Sequence, residues 1–205
     1  MTQNKDLKKL VRERMQQTGE RYTEALANIT KATPLEPVPA PWFMGGERPG
    51  NYEFGLLPSS VSYQTARTVR LRSKGSGGTG FGTMMQSFTA GDYRGRRVRL
   101  HAQLRSLDVS GWAGMWMRVD DTSSKGAAFD NMRDRALSGT TDWQPAAVVL
   151  DVTADATSIH FGVMLTGGGA IDVARLDFEE VDDSVAPTNS PLATGPQGLD
   201  FNARF

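Results

Sequence analysis

Between residues 97 and 120 apolar and polar side chains alternate strictly in two consecutive runs. Val98, Leu100, Ala102 and Leu104 alternate with Arg97, Arg99, His101, Gln103 and Arg105; Ala113, Met115, Met117 and Val119 alternate with Trp112, Gly114, Trp116, Arg118 and Asp120. A period of two places successive side chains on opposite faces of a strand, so each run predicts a strand with one face in a core and one toward solvent. Only a short turn separates the runs, and they are expected to be neighbours in one antiparallel sheet. Similar short runs, punctuated by turn residues, continue from Tyr52 to Asp182 and predict strands near 52–57, 66–73, 80–88, 96–106, 112–120, 126–131, 146–152, 158–166 and 170–181. In the last of these Ile171 and Val173 keep one parity while Leu176 and Phe178 keep the other, which predicts a bulge near Ala174 and Arg175. The fold class expected is mainly β, an antiparallel sandwich.

A helical period precedes the sandwich. Leu7, Leu10, Val11 and Met15, then Tyr22, Ala25, Leu26 and Ile29, recur at three- and four-residue spacing on either side of Gly19, a residue suited to a helix C-terminus. A short helical hairpin is expected over residues 1–31. Residues 32–50 carry Pro34, Pro37, Pro39, Pro41 and Pro49, which disfavour helix and central strand and predict an extended linker. Within it Trp42, Phe43 and Met44 are expected to dock on the sandwich as its first edge. The sandwich is expected to span 51–182. Residues 183–205, rich in Pro, Gly, Ser and Thr, are expected to form a disordered tail.

Composition narrows the chemistry. Net charge is zero, but the first 31 residues hold seven Lys or Arg against four Asp or Glu, so basic character belongs to the hairpin. Lys8, Lys9, Arg12 and Arg14 on its first helix are the candidate nucleic-acid contacts. The absence of cysteine excludes disulfides, thiolate metal sites and a cysteine nucleophile. No apolar run reaches the roughly 20 residues that cross a bilayer, and the early lysines alternate with leucines rather than preceding an apolar run, so no signal peptide, no membrane partner and a cytoplasmic location are expected. With two histidines and neither a GxSxG nor an HExxH motif, no enzyme activity, catalytic residue, metal or cofactor is expected. Asp120 with Asp121 and Asp182 with Asp183 read as solvated residues at strand ends, since adjacent strand residues point to opposite faces.

The order of pieces in 50–182 resembles a known family. GFGTMMQSF at 80–88, GDYRGRRVRLHAQLRS at 91–106, TTDWQ at 140–144, DVTADATSIHFGVML at 151–165 and GGGAIDVARLDFEEVD at 167–182 are similar to the galactose-binding-like jelly roll of carbohydrate-binding modules. GWAGMWMRVDD at 111–121 with AFDNMRDR at 128–135 resembles domains appended to bacterial transcriptional regulators of the AraC type. The resemblance implies a binding module in a bacterial regulatory protein. It also implies Glu47, Asn51, Glu53 and Asp177 as available ligands should such a jelly roll hold a structural calcium.

The polar face is the expected ligand site. Arg99, His101, Gln103, Trp112, Trp116, Arg118 and His160 share parity on the side away from the core, combining aromatic platforms with planar hydrogen-bonding groups. The competing expectation is that Trp112 or Trp116 is covered by Trp42 to Met44. The ligand is expected to be a small molecule or a protein partner. Two alternatives stand beside this reading: a DNA-associated regulator whose hairpin contacts DNA or forms a homo-oligomer, and a carbohydrate-binding module.

Overall fold

The computed structural model describes residues 3–31, 33–58, 63, 66–75 and 79–189. Two antiparallel sheets face each other. One runs in the order β1 (Phe43–Gly46), β4 (Phe81–Thr89), β10 (Ala156–Thr166), β6 (Val109–Asp121), β7 (Ala128–Asp130), with β8 (Leu137–Gly139) also paired to β6. The other runs β2 (Tyr52–Leu56), β3 (Thr68–Ser73), β11 (Ala170–Val181), β5 (Arg97–Leu107), β9 (Gln144–Asp151). This is the expected β-sandwich. The expected bulge is present as well: the register between β11 and β5 shifts between Ala174 and Asp177, and Arg175 has φ +52°.

Every alternating run delivers its apolar half to the space between the sheets. Val98, Leu100 and Leu104 from one sheet meet Met115, Met117, Ile159, Val163 and Leu165 from the other, all with no exposed surface. Burying such side chains contributes on the order of 1.5–3 kcal/mol each. At one end the core becomes aromatic, with Phe88, Tyr93, Phe161 and Phe178 at centroid separations of 5.3 to 6.0 Å. Trp42 closes this cluster edge-on to Phe161 at 5.6 Å.

One expectation about neighbours is corrected. β5 and β6 follow each other through the single residue Asp108, whose φ is +50°, yet they belong to opposite sheets. The Asp108 corner carries the chain across the sandwich; period two reports which way a side chain faces, not which sheet holds its strand. The outward rows of β5 and β6 therefore lie on opposite sides of the molecule.

The flanking segments are engaged with the sandwich. α1 (Gln3–Thr18) and α2 (Tyr22–Lys31) turn at Gly19, φ +73°. Val11 and Ala25 are buried in a small cluster with Leu57, packed by Met15, Leu26, Ile29 and Leu35. The side chains of Leu7 and Leu10 lie outside those described. Leu35 crosses Gly55 so closely that a Cβ there would stand 2.6 Å from the leucine's Cβ, and Glu36 forms a bridge with Leu56. Phe43–Gly46, within the stretch read as linker, is the edge strand beside β4. At the other end Thr188 exchanges hydrogen bonds with Val149, and Arg97 donates to the carbonyls of Asp183 and Val185, so residues 183–189 lie along β9. The expectation of disorder from 190 onward falls outside the described residues.

Candidate functional site

Seven side chains were expected on one face, and the structure divides them between two. Trp112, Trp116, Arg118 and His160 project from the outer side of the six-stranded sheet, whereas Arg99, His101 and Gln103 project from the outer side of the five-stranded sheet. Each group has its own surroundings.

On the six-stranded sheet the register sets four residues in a row across adjacent strands: Ser87 on β4, His160 on β10, Arg118 on β6 and Phe129 on β7. Ser87 Oγ lies 2.7 Å from His160 Nδ1. On the other side of the ring, His160 Nε2 is 3.0 Å from Ser158 Oγ and 3.2 Å from Asp120 Oδ2. Arg118 Nη2 donates to Asp120 Oδ2 at 2.9 Å, and the Gly126 amide donates to Oδ1 at 2.7 Å. Burial pushes the Asp120 carboxyl up, but the Gly126 amide and the Arg118 guanidinium outweigh it and hold the group below its ordinary range. Burial pulls His160 down and the Arg118 charge adds to this, against the opposing pull of Asp120, so the imidazole is neutral near neutrality. Asp120 is thus a buried anchor rather than a solvated strand end, as the sequence had suggested. Phe129 is 47% exposed beside this network.

Trp116 departs from expectation. It faces away from the core, yet only 8% of its surface is exposed. Its indole reaches across β10, where Gly162 stands opposite it in register without a side chain, and Nε1 donates to Thr83 Oγ1 on β4 at 2.7 Å. Thr83 in turn donates to the Val163 carbonyl at 2.9 Å. Trp116 is therefore a packed floor, not a free platform. Trp42 does not cover it, since it turns inward to Phe161. Trp112, half-buried, is capped by the Arg133 guanidinium, 4.8 Å from the ring centroid.

The five-stranded sheet carries a second set. Arg99 donates to Glu179 Oε1 at 2.8 Å through Nε, and His101 Nε2 lies 3.0 Å from the same oxygen. The Arg99 hydrogen bond lowers the Glu179 carboxyl. Gln103 stands opposite Ala174 and Pro145. Further along the sheet Asp172 has no exposure and accepts from two arginines: Arg70 at 2.6 and 2.8 Å, and Arg105 at 2.5 and 3.1 Å. Burial raises the Asp172 carboxyl, and the two guanidinium groups more than reverse that. Trp143 lies over Arg105 at 4.7 Å and meets Tyr63 at 4.7 Å, closing the group from solvent. In the hairpin Lys8, Lys9 and Arg12 are exposed, whereas Arg14 is held by Glu20 at 2.7 Å.

Ser87, Ser158, Thr83 and Phe129 were not among the residues singled out from sequence, and Asp120 was read only as a solvated strand end. The available signal was parity: Asp120 and Ser158 stand on the same face as Arg118 and His160. The Ser87, His160 and Asp120 chain has the residue types of a hydrolase triad; Ser87 lies two residues beyond the last β4 position paired with β1 and stands opposite His160 on β10. The arrangement suits hydrogen bonding to a neutral polar ligand. Among the described residues no three His, Asp or Glu side chains converge on a metal position; Glu53 pairs with Arg72 and Asp177 lies near His101.

No protein-family model matches the chain. Its sandwich is similar in structure to the CBM22-1 xylan-binding domain of Paenibacillus barcinonensis Xyn10C, with a TM-score of 0.51 and 11% identity over 72% of this chain and 90% of that one. The tandem CBM22-1 and CBM22-2 domains of the same protein align with a TM-score of 0.51 and 12% identity over 77% of this chain and 46% of theirs. The fold is that of a carbohydrate-binding-module jelly roll. In sequence the chain is similar to YbfP of Bacillus subtilis strain 168, an uncharacterized HTH-type transcriptional regulator, with 40% identity over 165 residues. That match takes in 78% of this chain and 56% of YbfP, so the chain spans about half the length of the curated relative it matches. The jelly roll thus recurs in a regulator-type protein. No described helix is long and apolar enough to cross a membrane.

Proposed function

We propose that this chain is the ligand-binding module of a cytoplasmic regulatory protein, non-enzymatic, and that its ligand is a small neutral polyhydroxylated molecule of the carbohydrate class. The observation that carries the reading is the row Ser87, His160, Arg118 and Phe129. Its polar members are held by Asp120 and Ser158, so little side-chain entropy is lost on binding, and Phe129 offers an exposed ring beside them. Aromatic rings cover the apolar face of a sugar while fixed donors and acceptors meet its hydroxyls. The fold and the regulator-type relative support a sensing role.

Calorimetric titration with neutral oligosaccharides tests this, beginning with xylo-oligosaccharides because a fold neighbour is a xylan-binding domain. Binding by the native chain, lost at least tenfold in both Phe129→Ala and His160→Ala, is expected. No binding across neutral sugars, or binding indifferent to both substitutions, would overturn it.

A second reading concerns the hairpin. Lys8, Lys9 and Arg12 stay exposed on one helix, and the relative is of the HTH type, which favours contact with DNA by that helix. A gel-shift assay in which Lys8→Glu with Arg12→Glu abolishes retention would support it; retention by neither form removes it.

A further inference from the structure

Between the sheets, at the edge where β1 and β4 face β3 and β11, lies a groove of about 340 Å³. Its walls are Trp42, Val69, Met84, Val173 and Leu176. All five belong to or pack against the main core, yet Trp42, Val69 and Leu176 remain partly exposed there, so the core itself reaches solvent. The cause is the β11 bulge. By breaking the register after Ala174, it moves Leu176 to the core parity and turns Arg175 outward with a left-handed backbone. Arg67, exposed, stands at the rim beside Arg175, whose guanidinium lies 5.3 Å from the centroid of the Tyr63 ring, and among the described residues no acidic side chain lines the groove.

An apolar slot whose described rim is cationic selects a molecule with an apolar tail and an anionic head. Its volume is at the small end of the range for ligand pockets, roughly 300–1,000 Å³. Burial of the tail supplies most of the affinity, and a charge-assisted contact at the mouth supplies selection. We propose that this groove binds a medium-chain or aryl-alkyl carboxylate, tail between the sheets and carboxylate at Arg67 and Arg175. This site is separate from the outer polar face and does not depend on what that face binds.

The experiment titrates the full chain with sodium octanoate and with octanol, read by calorimetry and by chemical-shift changes of the Val69 and Val173 methyl resonances. Octanoate is expected to bind at least tenfold more tightly than octanol and to shift those methyls. Arg67→Glu, a change at an exposed residue, should weaken octanoate roughly tenfold or more and leave octanol unchanged. Val69→Trp should fill the slot and remove both. Equal binding of the two probes, no binding of octanoate, or an Arg67→Glu protein that binds octanoate as before would each overturn the proposal. Because Arg67→Glu leaves the core intact, the result stands even if Val69→Trp fails to fold. A sugar titration of Arg67→Glu separates this site from the outer face, whose binding it should not alter.

Discussion

Each sheet carries an aspartate gripped by arginine on its outer side, and the two grips differ in what lies over them. Asp172 has no exposure, two guanidinium groups and a cover of Trp143 and Tyr63. Asp120, itself buried, has one guanidinium, that of the partly exposed Arg118, and a neutral histidine, with the exposed Phe129 opposite Arg118. A sealed charge cluster has exchanged water for fixed partners on every side, so it can act only on the fold. One covered on a single side leaves Arg118 and Ser87 at its solvent edge, already oriented, and can exchange water for a ligand there. The difference separates a structural use of arginine from one suited to binding on the same scaffold.

The largest expected effect is at the sealed cluster. Asp172→Ala leaves two arginines buried without their acceptor and should cost about 3–5 kcal/mol, read as a large fall in the urea midpoint. A loss below about 1 kcal/mol would mean that water reaches the cluster and that the two faces are alike. Next comes Trp116, whose replacement by alanine opens a cavity over β10 and frees Thr83 of its indole; about 3 kcal/mol is expected. Trp116→Phe, which keeps most of the ring but not the N–H, should cost about 1 kcal/mol. A neutral Trp116→Ala would restore it as a free platform.

A smaller effect follows from His160. Its folded value lies below the usual 6.5, so the unfolded chain takes up the proton first. The histidine's contribution is therefore complete above that value and is lost as pH falls through it toward the folded value. Comparing urea midpoints between pH of about 7.5 and about 5.5, the native chain should lose more stability than His160→Gln. Equal losses would show that the ring is not desolvated and the face more open than described. The smallest effect is expected at Lys9, exposed and 3.8 Å from Glu13, where alanine should leave the melting temperature unchanged.

Strand positions and core residues were legible in the sequence because alternation is a local property: nine runs placed nine strands, and Met115, Val98 and Ile159 fall in the core as their parity requires. β8 was missed, whereas the first edge expected at Trp42 to Met44 is present as β1 beside β4. Pairing is not local. Nothing in residues 97 to 120 reports that the chain changes sheets at Asp108, and that crossing divided the expected ligand face. Trp116 could not be placed from its own strand either, since its burial depends on Gly162 and Thr83, contributed by two other strands.

The strand order also constrains how the molecule comes into being. β10 lies between β4 and β6, and β11 between β3 and β5, so each sheet receives an interior strand from the part of the sandwich that is synthesised last. Until residues 156–181 have left the ribosome, β4 cannot join β6 nor β3 join β5. The earlier strands wait as separate edges with open hydrogen-bonding groups, the state most exposed to aggregation. Folding of the sandwich therefore waits for residues 156–181, and a chain arrested before β10 would lack the strand that joins β4 to β6 and the one that joins β3 to β5.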